Sequence, residues 1–277
     1  IAELDPPVED LGYANQDPHS RRLIDACDSH KFDITRETVR RARQGYFANI
    51  SYIDDKVGDL LETLRTTRML DNTIVLFTSD HGDMLGERGL WFKMSFFEGS
   101  ARVPLMVAGP GVTPRLVNEP VSTLDINPTL ADLAGIDIGE ILPWTDGESL
   151  VPLMQGGKRT TPVLMEYTAE GSQAPLVCIR EGDWKFSHCE LDPPMLFNLK
   201  DDPQELTNLA ADPANAALVA EWMERVRAHW DMARFDADIR QSQARRWVVY
   251  EALRNGAYFP WDYQPLQKAS ERYMRNH

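Results

Sequence analysis

The chain has 277 residues, 43% of which are hydrophobic, and a formal net charge of −14 at pH 7. This length and composition favour a globular protein with one large core or two smaller ones. The acidic balance argues against a nucleic-acid partner, because contacts to phosphate groups need a basic surface.

The cysteines and the apolar runs indicate the cellular setting. The three cysteines, Cys27, Cys178 and Cys189, are widely spaced and odd in number, which favours reduced thiols. No run is apolar for long enough to cross a bilayer, and nothing resembles a signal peptide. We therefore expect a cytoplasmic protein without a membrane segment.

The first elements are a long helix and a strand. Residues 1–31, rich in Asp and Pro, indicate an irregular connection, whereas residues 33–70 repeat apolar positions at helical spacing. We expect Tyr52 to pack in the core and Asp55 to lie on the solvated face of this helix. The β-branched and aromatic run at residues 73–77 predicts a strand buried on both faces.

Polar side chains follow directly after that strand. Asp80 and His81 stand at its carboxyl end, where loops leaving an α/β sheet bind ligands. A carboxylate beside an imidazole suits a divalent cation, and Lys93 is placed to pair with an anionic ligand. Taken singly, Asp80 also suits a helix cap, His81 a satisfied polar residue and Lys93 a solvated charge. Their clustering favours half of a metal-assisted hydrolase site.

The next elements complete an α/β unit and lead into a second one. Residues 102–108 predict a strand, and residues 125–134 predict a helix that stops at Gly135. Four short strands follow, at residues 163–167, 176–180, 184–188 and 195–199. Their spacing predicts an antiparallel meander. A helix from about residue 213 to 232 is expected to pack on this meander, with Trp222 and Trp230 in its core.

Several of these segments, in this order, resemble type I sulfatases of the alkaline phosphatase superfamily. The matching segments are YIDDKVG at 52–58, FTSDHG at 77–82, GERGLWFK at 86–93, RVPL at 102–105, DINPTL at 125–130 and LFNLKDDPQELTNL at 196–209. The resemblance implies the C-terminal part of an alkaline-phosphatase-like α/β sandwich. It also implies a small antiparallel sheet subdomain with a helix and an extended C-terminal tail.

The resemblance also assigns roles to the residues after the first strand. Asp80 and His81 match metal ligands of the family, and Lys93 matches the lysine that contacts the sulfate group. Most arylsulfatases have Asn where this chain has His81, and the Asp-His form resembles the choline sulfatase and phosphonate monoester hydrolase branch. Calcium is the expected ion, and the nitrogen donor of His81 leaves manganese and magnesium open.

One part of the sulfatase pattern does not occur in this chain. The family's nucleophile is a formylglycine made from the cysteine of a Cys-x-Pro-x-Arg segment, and none of the three cysteines stands in such a segment. The family's first pair of aspartate ligands is not found either. The resemblance therefore implies that the nucleophile lies in an N-terminal half outside this chain. This chain is accordingly expected to be inactive alone.

The C-terminal segments point to the substrate. YEALRNG at 250–256 and PWDYQP at 260–265 resemble the tail typical of choline sulfatases, which implies choline sulfate as substrate. A quaternary ammonium is bound by aromatic faces and a carboxylate, and Glu170, in a Gly-flanked loop, is the candidate. The aromatic residues 258–263 are expected to dock on a neighbouring subunit of a homo-oligomer, or alternatively on their own domain.

These interpretations divide the chain into three parts. Residues 1–152 are expected to belong to the catalytic α/β domain, residues 153–235 to the small sheet subdomain and residues 236–277 to a tail in subunit contacts. Two alternatives to a choline sulfatase remain open: a phosphonate monoester or phosphodiester hydrolase of the same superfamily, and a non-catalytic fragment.

Overall fold

The computed structural model describes residues 4–141 and 143–256, and all elements named here lie in that part. The helices are α1 (Pro18–Ala26), α2 (Arg36–Thr66), α3 (Glu98–Ala101), α4 (Ile126–Leu133), α5 (Ile138–Ile141), α6 (Val151–Met154), α7 (Ala216–His229) and α8 (Met232–Arg254). The strands are β1 (Val75–Thr78), β2 (Leu105–Ala108), β3 (Val163–Tyr167), β4 (Leu176–Glu181), β5 (Trp184–Cys189) and β6 (Asp192–Asn198). This arrangement confirms the predicted α/β fold class.

The first sheet is a pair of short strands. β1 and β2 are antiparallel, with Val75 opposite Ala108 and Thr78 opposite Leu105. All the residues of β1 are half-buried, so the prediction of a strand buried on both faces was wrong. Within the described residues β1 pairs only with β2, so its other edge has no strand partner there.

The long helix α2 precedes this sheet. Its N-cap is Thr35, whose side chain accepts a hydrogen bond from the Thr38 backbone N–H, as expected for this residue type at a helix start. Arg43 is the buried residue of α2, and most of its apolar stripe is exposed. Tyr52, predicted to lie in the core, is 62% exposed, because no described element covers that face of the helix.

A helix occupies part of the segment that was predicted to be irregular. α1 begins after Asp17, whose side chain accepts a hydrogen bond from the Ser20 backbone N–H at 3.0 Å. Pro18 is its first residue, where the fixed φ of proline suits a helix and its missing N–H costs nothing. One side of α1 faces inward, with His19, Ser20 and Leu23 buried. The prediction of an irregular connection over residues 1–31 was therefore wrong here.

The second sheet is the predicted antiparallel meander, in the order β3-β4-β5-β6. Its inner face carries fully buried residues, among them Val177, Ile179 and Phe186. α7 covers this face, and the ring of Trp222 stacks on Phe186 with ring centroids 6.0 Å apart. Trp222 is 3% exposed, which confirms its predicted place in the core. Trp230 packs at the edge of the same cluster, as predicted.

A buried ionic cluster joins the second sheet to the first part of the chain. Lys185 of β5 donates from Nζ to Glu205 Oε1 at 2.8 Å and contacts Glu98 Oε1 at 2.7 Å. It also donates to the main-chain carbonyl of Phe96 at 2.7 Å. Glu205 in turn accepts the backbone N–H of Glu98 at 2.7 Å, which satisfies a free donor at the start of α3.

The C-terminal part of the described chain is helical. α8 begins after Asp231, whose side chain accepts from the Arg234 backbone N–H at 3.0 Å. The tail that was predicted to be extended from residue 236 is therefore helical as far as Arg254, and the aromatic segment at 258–263 lies outside the described residues. Among the helices described, none has the length and apolar content that a transmembrane span requires.

Candidate active site

The candidate site lies on the loop that follows β1. The strand ends at Thr78, and this loop turns at Gly82 against the start of the next helix. The Gly82 backbone N–H donates to Ser100 O at 2.8 Å. A Cβ atom at Gly82 would lie 2.2 Å from Gly99 O, so only glycine fits this close approach of two backbones.

The structure brings together three of the side chains predicted for the site. His81 Nδ1 lies 2.7 Å from Gly82 O, and because a carbonyl oxygen only accepts, Nδ1 carries the proton. The other ring nitrogen, Nε2, therefore has a lone pair, and it accepts a hydrogen bond from Lys93 Nζ at 2.9 Å. Asp80 Oδ2 lies 3.4 Å from the same Nε2. Asp80, His81 and Lys93 thus form one polar group.

Asp80 presents an ionised carboxylate at this site. Its side chain is 82% exposed, and no helix follows it, so the helix-cap alternative does not apply. Desolvation acts to raise the pKa of Asp80, but the electrostatic interaction with the His81 ring and hydrogen bonds from the His81 N–H and the Ser79 hydroxyl lower the pKa on balance. The carboxylate is therefore available as an oxygen donor at neutral pH.

The donor chemistry fits part of a metal site. A carboxylate oxygen and an imidazole lone pair lie side by side, and the second ring nitrogen of His81 is held by a backbone carbonyl. Such an outer hydrogen bond orients the imidazole of metal-binding histidines. Among residues 4–141 and 143–256, no three His, Cys, Asp or Glu side chains cluster in a way that could hold an ion. A metal site at Asp80 and His81 would therefore need further ligands from outside the described residues.

The loop that carries Lys93 is tightly packed. Ser100 Oγ donates to Lys93 O at 2.5 Å, and the Met84 backbone N–H donates to Phe92 O at 2.8 Å. Met84, Leu90 and Phe97 are nearly fully buried in a small core cluster beneath this loop. The main chain around Lys93 is therefore fixed, although the charged end of the side chain is accessible.

Glu170, the candidate ammonium ligand, lies in a separate loop that follows β3. Tyr167 Oη is 2.9 Å from Glu170 O and 3.2 Å from Glu170 Oε2, so the hydroxyl of the last residue of β3 donates to this loop. Desolvation by burial, together with the nearby Glu170 charge, raises the pKa of Tyr167 well above its usual range. Tyr167 therefore remains a hydrogen-bond donor at any physiological pH.

Sequence reasoning missed three residues around the two loops: His19 and Arg22 of α1, and Tyr167. Their contacts join segments far apart in the chain, which local patterns do not reveal. The helix that carries His19 and Arg22 nevertheless has a recognisable start signal, since an Asp N-cap is followed by Pro at the first helical position.

Family models match most of the chain. The model described as "Sulfatase" matches residues 13–136, and the model for the C-terminal part of N-sulphoglucosamine sulphohydrolase matches residues 86–231. Together with the fold and the Asp-His-Lys group, these matches define the class: the chain belongs to the sulfatase family. A further model, "Choline sulfatase enzyme C terminal", matches residues 237–277.

A close relative has a more specific name. The chain is 65% identical over 277 residues to "Choline-sulfatase" from Rhizobium meliloti (strain 1021), a match that covers 99% of this chain and 54% of that protein. The chain thus spans about half the length of this relative.

Solved structures agree on the fold. A 2-O GAG sulfatase superposes with a TM-score of 0.68 at 26% identity, covering 87% of this chain and 55% of that one. The phosphonate monoester hydrolase of Agrobacterium radiobacter superposes with a TM-score of 0.62 at 30% identity, covering 71% of this chain and 42% of that one. Both likenesses confirm the alkaline-phosphatase-like architecture that the sequence predicted.

Proposed function

We propose that this chain supplies the sulfate-binding side and two metal ligands of an enzyme that hydrolyses choline-O-sulfate to choline and sulfate. The observation that carries the proposal is the contact of Lys93 Nζ with His81 Nε2 at 2.9 Å, beside Asp80. A fixed ammonium group at this place neutralises negative charge that develops on the sulfate oxygens as the ester bond breaks. Choline as the alcohol is supported by the match to the choline sulfatase C-terminal model.

The metal ligands are proposed to be Asp80 and His81, with calcium as the ion and manganese or magnesium as alternatives. Such an ion, when bound, polarises a sulfate ester toward attack. The chain's part is to present the Asp80 carboxylate and the His81 Nε2 lone pair from a loop whose imidazole is anchored on Gly82 O. An ion would take over the lone pair that the Lys93 ammonium group occupies here, which would free Lys93 for the sulfate group. The nucleophile, a formylglycine, is proposed to lie outside this chain.

Glu170 is proposed to bind the choline ammonium group. A quaternary ammonium has no hydrogen to donate, so a carboxylate attracts it by charge and an aromatic ring by its π face. The Glu170 carboxylate lies next to the Tyr167 hydroxyl, which holds it near the end of β3. Lys93 and Glu170 would then recognise the anionic and cationic ends of the same substrate.

The N-terminal half of the same enzyme is the proposed partner of the exposed face of α2. This face carries large apolar side chains with exposed fractions of 37–66%: Tyr46, Ile50, Ile53 and Leu60. An apolar surface of this extent indicates a protein contact. The chain spans 54% of its choline sulfatase relative, so nearly half of such a protein is available to cover the face.

The remaining assignments concern organisation. Residues 1–152, 153–235 and 236–277 are proposed as the catalytic part, the small sheet subdomain and the tail. Homo-oligomer contacts through the tail are supported by exposed Trp247 and Leu253 on α8, 61% and 65% exposed. A cytoplasmic location is supported by the odd number and wide spacing of the three cysteines.

One alternative activity has a specific observation in its favour. The superposition on the Agrobacterium radiobacter phosphonate monoester hydrolase, at 30% identity, supports a phosphonate monoester or phosphodiester substrate for the same group of side chains. Lys93 can stabilise a phosphoryl oxygen as well as a sulfuryl oxygen, so the two activities differ in the recognition of the alcohol.

A hybrid enzyme tests the proposal. This chain replaces the matching segment of the Rhizobium meliloti choline-sulfatase, and the product is assayed on choline sulfate and on a phosphonate monoester. We expect choline sulfate to be the better substrate, and Lys93→Ala to lower kcat/KM by about 100-fold or more. Lys200→Ala, an exposed lysine outside the site, is the matched control. Asp80→Ala is expected to lower the bound metal per chain, measured by elemental analysis independently of activity.

The outcomes separate the alternatives. Faster turnover of the phosphonate would replace the sulfatase by the phosphonate hydrolase. A folded hybrid without activity on either ester, or a Lys93→Ala hybrid as active as the Lys200→Ala control, would contradict the catalytic proposal and leave the chain as a non-catalytic fragment.

A further inference from the structure

Helix α1 contacts both of the loops that carry the proposed substrate ligands. Its buried residues include His19 and Leu23, and it is fixed at its start by the Asp17 cap. Residues three apart in a helix share one face, so His19 and Arg22 project from the same side of α1. His19 contacts the loop that carries Lys93, and Arg22 contacts the loop that carries Glu170.

His19 reaches the loop of Lys93. Its Nε2 lies 2.7 Å from Met94 O, and because the carbonyl only accepts, Nε2 is the protonated nitrogen. His19 is 5% exposed, so this hydrogen bond is shielded from water. Met94 directly follows Lys93, whose own carbonyl is held by the Ser100 hydroxyl. The main chain next to Lys93 is therefore anchored to α1.

The same histidine also touches the residue that holds Glu170. The rings of His19 and Tyr167 meet edge to face, with centroids 5.6 Å apart and an interplanar angle of 66°. The Tyr167 hydroxyl continues the connection by its hydrogen bond to the Glu170 carbonyl. The His19 ring thus contacts Met94, next to Lys93, and Tyr167, which is hydrogen-bonded to Glu170.

Arg22 reaches the Glu170 loop directly. Its Nε donates to Gly171 O at 2.9 Å, and its Nη1 donates to Asp192 Oδ1 at 2.9 Å, with Nη2 on Oδ2 completing a bidentate pair. The loop also lies tightly on α1, since a Cβ at Gly171 would be 2.7 Å from Leu23 Cδ2. Gly171 has a φ of +74°, a conformation that glycine adopts without strain.

We propose that α1 fixes the separation between Lys93 and Glu170, with His19 and Arg22 as positioning residues for substrate recognition. The inference rests on the proposed function, since it takes these two side chains as the ligands of the sulfate and ammonium groups. Arg22 sets the position of the ammonium ligand alone, because its contacts lead to Gly171 and Asp192. Loss of Arg22 therefore affects a cationic ester and spares a neutral one of the same shape.

The first test compares two esters in the hybrid enzyme. Choline sulfate and 3,3-dimethylbutyl sulfate have the same shape, but only the first carries the ammonium charge. We expect Arg22→Met to raise KM for choline sulfate by about tenfold or more, with little change in kcat and little change for the neutral ester. Arg22→Lys keeps the charge beside Asp192 and should restore part of the loss.

Variants at Arg21 and His19 serve as comparisons for this effect. Arg21→Met removes an arginine from the neighbouring position of α1, where its Nε donates to Gln16 O and not to the loop, and should leave both KM values unchanged. His19→Leu should lower kcat/KM for both esters, because it frees the Lys93 segment, and His19→Gln should restore part of it by donating to Met94 O. An equal loss on both esters in Arg22→Met would overturn the proposal.

A measurement on the 277-residue chain itself separates this inference from the proposed activity. Amide hydrogen exchange at residues 168–172 should be faster in Arg22→Met than in Arg21→Met, because only the former loses the hydrogen bond to Gly171 O. Equal exchange in the two variants would overturn the positioning role even if the hybrid hydrolyses choline sulfate. Faster exchange combined with an inactive hybrid would overturn the ester-discrimination proposal together with the proposed function.

Discussion

The two sheets of the chain differ in how completely they are covered. In the four-stranded sheet, Ile179 and Phe186 are fully buried beneath α7. In the two-stranded sheet every residue of β1 is half-buried, and Met106 of β2 is 57% exposed. The four-stranded sheet has a core made by this chain, whereas the two-stranded sheet has apolar faces that further protein could cover. The candidate active site is on the less covered sheet.

The buried ionic cluster explains how the site keeps its shape on that open side. Lys185 belongs to the well-packed sheet, and its ligands Phe96 O and Glu98 belong to the segment that follows Lys93. Each side chain of the Lys185 and Glu205 pair is 3% exposed. A buried charge such as that of Lys185 is stable only when its partners remain in contact with it. The cluster therefore fixes the segment that follows Lys93 in one position. The well-packed four-stranded sheet therefore holds the segment next to the candidate site in place.

The largest effect is expected in the covered sheet. Trp222→Ala removes a ring that is 3% exposed and stacked on Phe186, and should lower the free energy of unfolding by about 4 kcal/mol. Met106→Ala, on the exposed face of β2, should lower it by less than about 1 kcal/mol. Urea denaturation followed by circular dichroism measures both values. Equal losses would mean that the two sheets are equally covered in solution.

A smaller loss is expected when the ionic cluster is broken. Lys185→Met leaves the Glu205 and Glu98 carboxylates without their cation and should destabilise the chain by about 3 kcal/mol. The control is Lys56→Met, which breaks an exposed pair with Asp59 on α2 and should cost less than about 0.5 kcal/mol. Adding Glu205→Gln to Lys185→Met should recover part of the stability, because it removes one of the unpaired buried charges. If the double variant is no more stable than Lys185→Met, the argument from uncompensated buried charge fails.

The meander was predictable because its signals are local. Four short runs of alternating and β-branched residues, separated by turns, predicted strands that agree with β3–β6 to within about three residues, and β3 agrees at both ends. The grouping of Asp80, His81 and Lys93 was also predictable, since all three follow one strand within a glycine-containing loop. Their contact through His81 Nε2 bears out the expected convergence.

Other features depend on contacts that local patterns do not encode. The half-buried state of β1 depends on which chain covers its faces, and its hydrophobic sequence is the same in either case. The positions of His19 and Arg22 depend on contacts with residues 75 and 149 positions away. α1 itself was missed because Asp and Pro were interpreted as loop residues, although Asp17 and Pro18 occupy the N-cap and first helical positions, where these residue types are favoured.

The smallest expected effect concerns the exposed region, where a charge cluster joins the N-terminal segment to α2. Hydrogen bonds from Arg36, then from Arg40, lower the pKa of Asp5 from 3.8 to about 2. Because the folded-state pKa is the lower one, the stabilisation is present above about pH 4 and is lost as the pH falls toward 2. Asp5→Asn should therefore be slightly less stable than wild type at pH 6, and most of this difference should be gone at pH 2.

Salt distinguishes this contact from the buried cluster of Lys185. Asp5 and Arg36 are both solvent-accessible, so 1 M sodium chloride at pH 6 should remove most of the difference between wild type and Asp5→Asn. The loss caused by Lys185→Met should persist in the same salt, because ions do not reach a pair whose side chains are 3% exposed. A salt-independent Asp5 effect would mean that further protein covers the α2 end of the molecule in solution. The region around α2 would then not be an exposed counterpart of the covered four-stranded sheet.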